Sequence, residues 1–456
     1  MMLDPRSYRR PPMGTLRPGT DGASPPDAPE QLADAPEHLP GAQRPGAQHA
    51  GPAARATTGR ARAGLAMLGP AVVVSVAYVD PGNFATNMTA GSRYGPLLLW
   101  VIALANLVAV FVQYLACKVG VATGKDLPEL CRERAPRTIT YGLWVQAELV
   151  AMATDLAEFV GGAVALRLLF GLPLLPAAVL VAALSLLLLA VAPEGRRRFE
   201  TVTALLLLVL VLGFLYQSVR AGSWHGALSG LRPELAGAHS LLLATGIIGA
   251  TVMPHVVYLQ SALGKLPGAT PPAGRRRALR AHRTALVAAL GLAGLVNAGM
   301  LTLASATLHR SGGGESLDDF HDGLRLALGS GAAVAFALAL LASGLASAGV
   351  GTFAGQVIMR GFLHRQVPLF TRRLLTMAPP LALLATGIAP TRALVLSQVV
   401  LSFGIPLALA PLLWFTARRS LMGPLVNRRA TTGLAVVVCA AISALNLVLV
   451  GRSVCG

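Results

Sequence analysis

The sequence predicts an all-α membrane protein, built as two inverted repeats of five spanning helices plus an eleventh, with helices 1 and 6 broken near their middles. Three observations predict it. Apolar residues fill 54% of the 456 positions and charged residues 13%, and the mean hydropathy is +0.62. A water-soluble globule would need far more polar surface. Runs such as AAVLVAALSLLLLAVA and ALLLLVLVLGFLY approach the ~20 apolar residues that cross a ~30 Å hydrocarbon core as helix. Finally, two of the runs carry proline at matching places in the two halves.

Taken in order, residues 1–60 hold eleven of the 31 prolines, with Gly, Ala, Gln and Asp between them and no apolar run. This composition predicts a disordered tail that lacks the apolar core of a signal peptide and lies in the cytoplasm. A regulatory tail and a tolerated extension are both compatible with it. Spanning segments follow at about 64–90, 96–117, 140–170, 173–192, 199–219, 240–264, 284–308, 331–357, 369–388, 393–416 and 431–450. The first repeat is then 61–219, the second 220–418, and 419–456 carries the eleventh helix as an appendage.

The basic residues test that count. From a cytoplasmic N-terminus, the connectors assigned to the inside hold 25 Lys and Arg and those assigned to the outside hold 8. The alternation never loses register, as the positive-inside rule requires, and it places the C-terminus outside. It also accounts for the net charge of +18 without a nucleic-acid partner, because the charges are distributed between apolar runs rather than gathered on a domain. The four cysteines, Cys117, Cys131, Cys439 and Cys455, show neither CxxC nor Cys/His spacing, so no disulfide framework or zinc site is indicated.

Segment 1 reads AVVVSVAYVDPGNFATNMTAG and places its break at Pro81 and Gly82. Segment 6 reads LLLATGIIGATVMPHVVYLQSALG and places its break at Pro254, with Gly246 and Gly249 before it. The two segments stand five helices apart and so cross in opposite directions. Equivalent breaks in the first helix of each half point to an inverted-repeat architecture with a binding site at the bilayer midplane. Asp80 at the first break is an acid in mid-membrane, which costs about 3 kcal/mol on translocon scales and marks a functional position. Asn83 adds an amide oxygen. At the other break the Ala250 carbonyl has lost its helical donor, because Pro254 carries no N–H, and Met253 adds a thioether. Sulfur among oxygen ligands favours first-row transition ions over Mg²⁺ and Ca²⁺. Gap-filling packing is the competing reading for a methionine in an apolar helix.

DPGNFATNMTAGSRYG, GKDLPEL, AELVAMATDLAEFVGGA, GATVMPHVVYLQSAL and LASGLASAGVGTFAGQVIMRGFL together resemble the natural-resistance-associated macrophage protein (NRAMP) family of proton-coupled metal transporters. The resemblance spans about residues 62–450. It implies a LeuT-like fold and a bacterial plasma-membrane importer of Mn²⁺ and Fe²⁺, with Cd²⁺ and Co²⁺ as further ions. Asp80, Asn83, the Ala250 carbonyl and Met253 would be the metal ligands, and Gln398 would approach as the site closes, although an interhelical hydrogen bond explains Gln398 as well. No cofactor is implied, since metal and proton are substrates, and one chain in the lipid bilayer suffices.

Glu148, Asp155 and Glu158 lie within an arc of roughly 80° on segment 3. From the residues alone they are a proton relay, an ion pathway or partners that neutralise basic groups. The resemblance favours a proton route paired with Arg372 and Arg373, which the positive-inside rule would otherwise leave as a cytoplasmic anchor. His255 beside Met253 suits proton exchange, gating or simple stabilisation of the broken turn. Val256 and Gln260 stand where many members carry asparagine and a second histidine. The acidic loop ESLDDFHD, with Glu315, Asp318, Asp319, His321 and Asp322, reads as a cation-concentrating vestibule or a solvated loop helix. A Mg²⁺ carrier, an amino-acid symporter of the same architecture and a membrane-embedded enzyme are the rivals. The last lacks a HExxH pattern, a nucleophile elbow and a cofactor loop.

Overall fold

A computed structural model describes residues 75–455, apart from 192–195, 225–226, 267–269, 310–313 and 365–367. The predicted tail and the first turns of segment 1 lie outside the described residues. The described chain is helical. In order, the helices of eight residues or more are α1 (Pro81–Tyr94), α2 (Leu99–Thr123), α3 (Leu127–Arg134), α4 (Arg137–Phe170), α5 (Leu174–Val191), α6 (Arg196–Ala221), α7 (Ala238–Thr251) and α8 (Pro254–Leu263). They continue as α9 (Pro272–Thr307), α10 (Leu317–Leu328), α11 (Ser330–Leu363), α12 (Leu369–Ala385), α13 (Pro390–Thr416) and α14 (Arg429–Cys455).

Among the described residues, eight stretches are long and apolar enough to cross a membrane: α2, α4, α6, the α7–α8 pair, α9, α11, α13 and α14. The three other predicted segments correspond to α1, to α5, and to the 17-residue α12. Proline opens α1, α8, α9 and α13 at the first helical position, where its missing N–H leaves no bond unmade. Three boundaries differ from expectation by six residues or more, the first being α2, which runs six residues past segment 2. α9 begins twelve residues before the predicted segment 7, and α11 runs six residues past segment 8. In the case of α9, RRRALRAHR, read as a connector, is rich in helix formers and follows a proline that starts rather than stops the helix.

Burial sorts the helices. The most apolar stretch of α7–α8 is 89% buried and that of α4 78%, against 22% for α14. α4 therefore runs through the centre, packed along α11 and α13, while α14 leans on α13 at the periphery. α1 packs along α9 and against α7, α13 and α4, so the two broken segments face each other inside the bundle. Apolar side chains that face outward, such as Leu107, Leu187, Leu215 and Leu447, belong to the lipid-facing surface.

Without a hydrophobic force between helices in lipid, close packing depends on small residues. Gly246 and Gly249, which precede the break, lie inside regular α7. A methyl group on Gly249 would run into the backbone carbonyl of Gln398 on α13, so this glycine sets the approach of the two helices. Outside the spanning region, α3 acts as a clasp. Asp126 and Glu129 form a capping box, and Lys265, just beyond α8, pairs with both at 2.5 and 2.6 Å. Burial raises the Asp126 carboxyl above its ordinary range, against the pull of Lys265. Leu127 N–H also donates to Ser261 Oγ at 2.8 Å, tying α3 to α8.

We expect Gly249→Ala to cost about 1–3 kcal/mol through overpacking. Gly433→Ala on α14, where the added methyl meets open space, should be neutral or stabilising by up to about 1 kcal/mol. Melting temperatures of the detergent-purified variants would separate the two outcomes.

Candidate metal site

The break in segment 1 falls at Tyr78–Asp80, just ahead of the predicted Pro81 and Gly82, which open α1. Pro81 lacks the N–H that would continue the helix and its ring crowds the preceding turn, so the chain extends at Asp80 (φ −83°, ψ 168°). Asp80 becomes the N-cap. Its Oδ1 accepts from the Asn83 backbone N–H at 2.9 Å and from Asn83 Nδ2 at 2.7 Å. In lipid the freed carbonyls need partners. Asn297 on α9 donates to the Tyr78 carbonyl at 2.9 Å, and Ser343 on α11 donates to the Val79 carbonyl at 2.6 Å. Sequence reasoning missed both residues. The available signal was a buried amide and a buried hydroxyl in otherwise apolar spans.

Segment 6 repeats the arrangement. α7 ends at Thr251, Met253 is extended (φ −64°, ψ 117°) as the N-cap of α8, and Pro254 restarts the helix. The Ala250 carbonyl, deprived of a donor by Pro254, accepts instead from Asn83 Nδ2 at 3.2 Å. One amide group therefore bridges the carboxylate of one break and the backbone of the other. Met253 shares the Ala250 break and is 1% exposed. On α13, the Gln398 amide lies directly against Gly82, where a methyl group would overlap it.

Three acceptors stand out. Asp80 Oδ2, Asn83 Oδ1 and Gln398 Oε1 are buried without a hydrogen-bond partner among the described residues. Such groups are rare and costly unless something positive meets them. Among the described residues no cluster of three His, Cys, Asp or Glu side chains forms a conventional metal site. A cation held here would rely on one carboxylate, amide and backbone oxygens, and the neighbouring thioether.

The acids of α4 form a second, separate group of buried charges. Arg373 pairs with Asp155 and with Glu158, the latter at 3.1 Å, and donates to Ser185 Oγ at 3.1 Å. Its guanidinium also lies 4.8 Å from the Phe159 ring centroid. Arg372 pairs with Glu148 at 3.0 Å. With Arg372 and Arg373 only 7% and 2% exposed, the reading of these residues as a cytoplasmic anchor is corrected: they face inward to the acids. His255 Nδ1 lies 3.3 Å from Thr154 Oγ1, beside Asp155, so the break and the α4 stripe touch through one hydrogen bond.

The acidic loop is otherwise occupied. Asp319 completes a capping box with Ser316 at the start of α10, Asp318 pairs with Arg167, Glu315 with Arg93, and Asp322 with Arg325. The loop-helix reading describes them. Gln260 is buried on α8, and Cys117, Cys131 and Cys439 are free thiols.

A multi-pass bundle whose two broken helices meet around buried, unpartnered acceptors defines a membrane transporter of LeuT-like fold, and comparison with known proteins agrees. A nucleobase-cation-symport-1 family transporter shares the fold at 15% identity, with a TM-score of 0.58 over 78% of this chain and 79% of its own. Residues 71–452 match the family model described as natural resistance-associated macrophage protein-like, and the chain belongs to that family of transporters, not to an enzyme family. It is 49% identical to the divalent metal cation transporter MntH of Deinococcus radiodurans over 83% of this chain and 87% of the relative. The crystallised Eremococcus coleocola manganese transporter is 32% identical, with a TM-score of 0.77 over 85% of this chain and 86% of that one.

Removing one partner from a buried ion group leaves uncompensated charge, at a cost of about 3–5 kcal/mol. Arg373→Met should therefore lower thermal stability sharply by stranding Asp155 and Glu158. Combining it with Asp155→Asn and Glu158→Gln should recover most of the loss. If the single variant melts with the wild type, the group is not the buried unit described above.

Proposed function

We propose that the chain imports divalent transition-metal ions, Mn²⁺ and Fe²⁺ foremost and Cd²⁺ and Co²⁺ in addition, together with protons, by alternating access across a bacterial plasma membrane. The observation that carries the reading is the set of unpartnered acceptors at the meeting of the two breaks. Asn83 Nδ2, held between Asp80 Oδ1 and the Ala250 carbonyl, stands where a cation would satisfy both. When a metal enters, rotation of that amide presents Asn83 Oδ1 in place of the N–H donors. Asp80 supplies the charge, Ala250 a carbonyl and Met253 a thioether. Gln398, pressed against Gly82, adds its oxygen as the halves close. The sulfur disfavours Mg²⁺ and Ca²⁺, which take oxygen ligands throughout.

Proton coupling follows from the same carboxylate. Asp80 binds metal only when deprotonated, so metal and proton compete for it and affinity rises with pH. The path we assign to the proton runs from Asp80 by way of His255 and Thr154 to Asp155 and Glu158, with Arg373 holding the acids in place. Glu148 and Arg372 extend the charged series along α4 and α12. An inside-negative potential assists inward movement of positive charge by about 2.3 kcal/mol per charge per 100 mV. We assign residues 61–219 and 220–418 as the inverted halves that rock about the site, with the N-terminus cytoplasmic and the C-terminus outside. One chain supplies every group named, and no cofactor takes part.

The test is uptake by proteoliposomes containing a pH-sensitive dye, with Mn²⁺, Fe²⁺, Cd²⁺, Co²⁺, Mg²⁺ and Ca²⁺ offered in turn. The expected result is metal accumulation with internal acidification, both lost in Asp80→Ala. Met253→Ala should weaken Mn²⁺ uptake and admit Ca²⁺ or Mg²⁺. If Mn²⁺ uptake is lost without any such gain, the selectivity role of the thioether falls. If the wild type accumulates none of the six ions, the transport reading falls with it.

A further inference from the structure

The arginines at the start of α9 do more than mark topology. α9 is 36 residues long, about 54 Å of helix, and its first twelve residues precede the apolar stretch. Within them Arg276, Arg280 and Arg283 are spaced four and three apart, which puts them on one face within an arc of about 60°. That face lines an open cavity of about 410 Å³, which Tyr114 of α2 and Leu279 also line. Arg275 is held apart from them: it donates to the Thr270 and Ala122 carbonyls and so pins the start of α9 to the end of α2. The wall of the cavity is thus fixed by hydrogen bonds. Nearby carboxylates are already engaged, since Asp126 and Glu129 both pair with Lys265. Arg276, Arg280 and Arg283 have no ion-pair partner among the described residues, and all three are exposed.

We propose that this cavity binds the headgroup of an anionic phospholipid from the cytoplasmic leaflet. Guanidinium forks match phosphate oxygens in pairs, and basic pockets between spanning helices on the cytoplasmic side are suited to such headgroups. A free phosphate would need the arginines alone. A lipid also needs an apolar track leading away from them, and α9 carries one. Val287, one turn after Arg283, is 52% exposed, and Leu295 two turns further is 59% exposed. Tyr114 sits at the junction of the charged and apolar parts, the level at which aromatic rings with a polar tip are favoured. The site lies on the outside of the α2–α9 pair, apart from the metal site. Because α9 also carries Asn297, which supports the segment 1 break, the lipid would brace the helix that holds that break in place.

Native mass spectrometry of the full-length protein in detergent tests this, with phosphatidylglycerol, cardiolipin and phosphatidylcholine added at matched concentrations. The wild type should retain the two anionic lipids in preference to phosphatidylcholine. A triple variant, Arg276→Gln with Arg280→Gln and Arg283→Gln, should lose that retention tenfold or more. A control that removes equal charge elsewhere, Arg419→Gln with Arg428→Gln and Arg429→Gln, should keep it. Equal loss in both variants, or loss in neither, would overturn the proposal in favour of diffuse surface charge. Competition by millimolar inorganic phosphate at full effect would overturn it in favour of a free-anion site. Should the triple variant fail to fold, a photoactivatable phosphatidylglycerol cross-linked to the wild type decides: adducts within 272–287 support the cavity, and adducts confined to other segments refute it.

Discussion

A helix broken in hydrocarbon survives only where its released backbone groups find partners inside the protein, and that constraint organises this molecule. Asp80, Asn83, Asn297 and Ser343 satisfy the groups exposed at the first break. At the second break the Ala250 carbonyl is satisfied by Asn83 from the first. The first break thus completes the second. The close approach that this demands explains the glycines: Gly82 against Gln398, and Gly249 against the Gln398 backbone, let α1 and α7 come within reach of α13. Beyond the hydrogen bonds there remain carboxylate and amide oxygens with no partner among the described residues, and the proposed cation binding rests on that excess of acceptors.

The second organising feature is the charge buried between α4 and α12. Three carboxylates and two guanidiniums in a membrane interior are tolerable only as a group, because each alone would carry a large desolvation cost. The group stands next to the breaks without merging with them. Thr154 and His255 form the contact, one residue from Asp155 on one helix and two from Met253 on the other. Motion of α8 relative to α4 would make or break this link.

Much of this was legible in the residues. The apolar runs and the alternation of basic connectors give a segment order that the helices follow, and the paired prolines locate both breaks within three residues. Asp80 and Met253 are visible because a membrane acid and a methionine beside proline are unusual in themselves. What was not legible depended on contacts between segments far apart in the chain. Nothing local shows that Asn297 and Ser343 serve the Tyr78 and Val79 carbonyls. Nor does anything local show that Gly249 serves the close approach of α7 to α13. The inward turn of Arg372 and Arg373 is implied by the family resemblance but not by the residues alone, where a topological rule predicts the same residues at the same place for a different reason. The early start of α9 was missed because a charged stretch reads as a connector even when it is rich in helix formers.

The central claim is that the two breaks grip one ion, with oxygen from Asp80 and sulfur from Met253. X-ray absorption at the metal edge of Cd²⁺-loaded protein tests it most directly. A mixed shell of oxygen with one sulfur scatterer, the sulfur vanishing in Met253→Ala, is the predicted result. An all-oxygen shell, unchanged by that substitution, would contradict it.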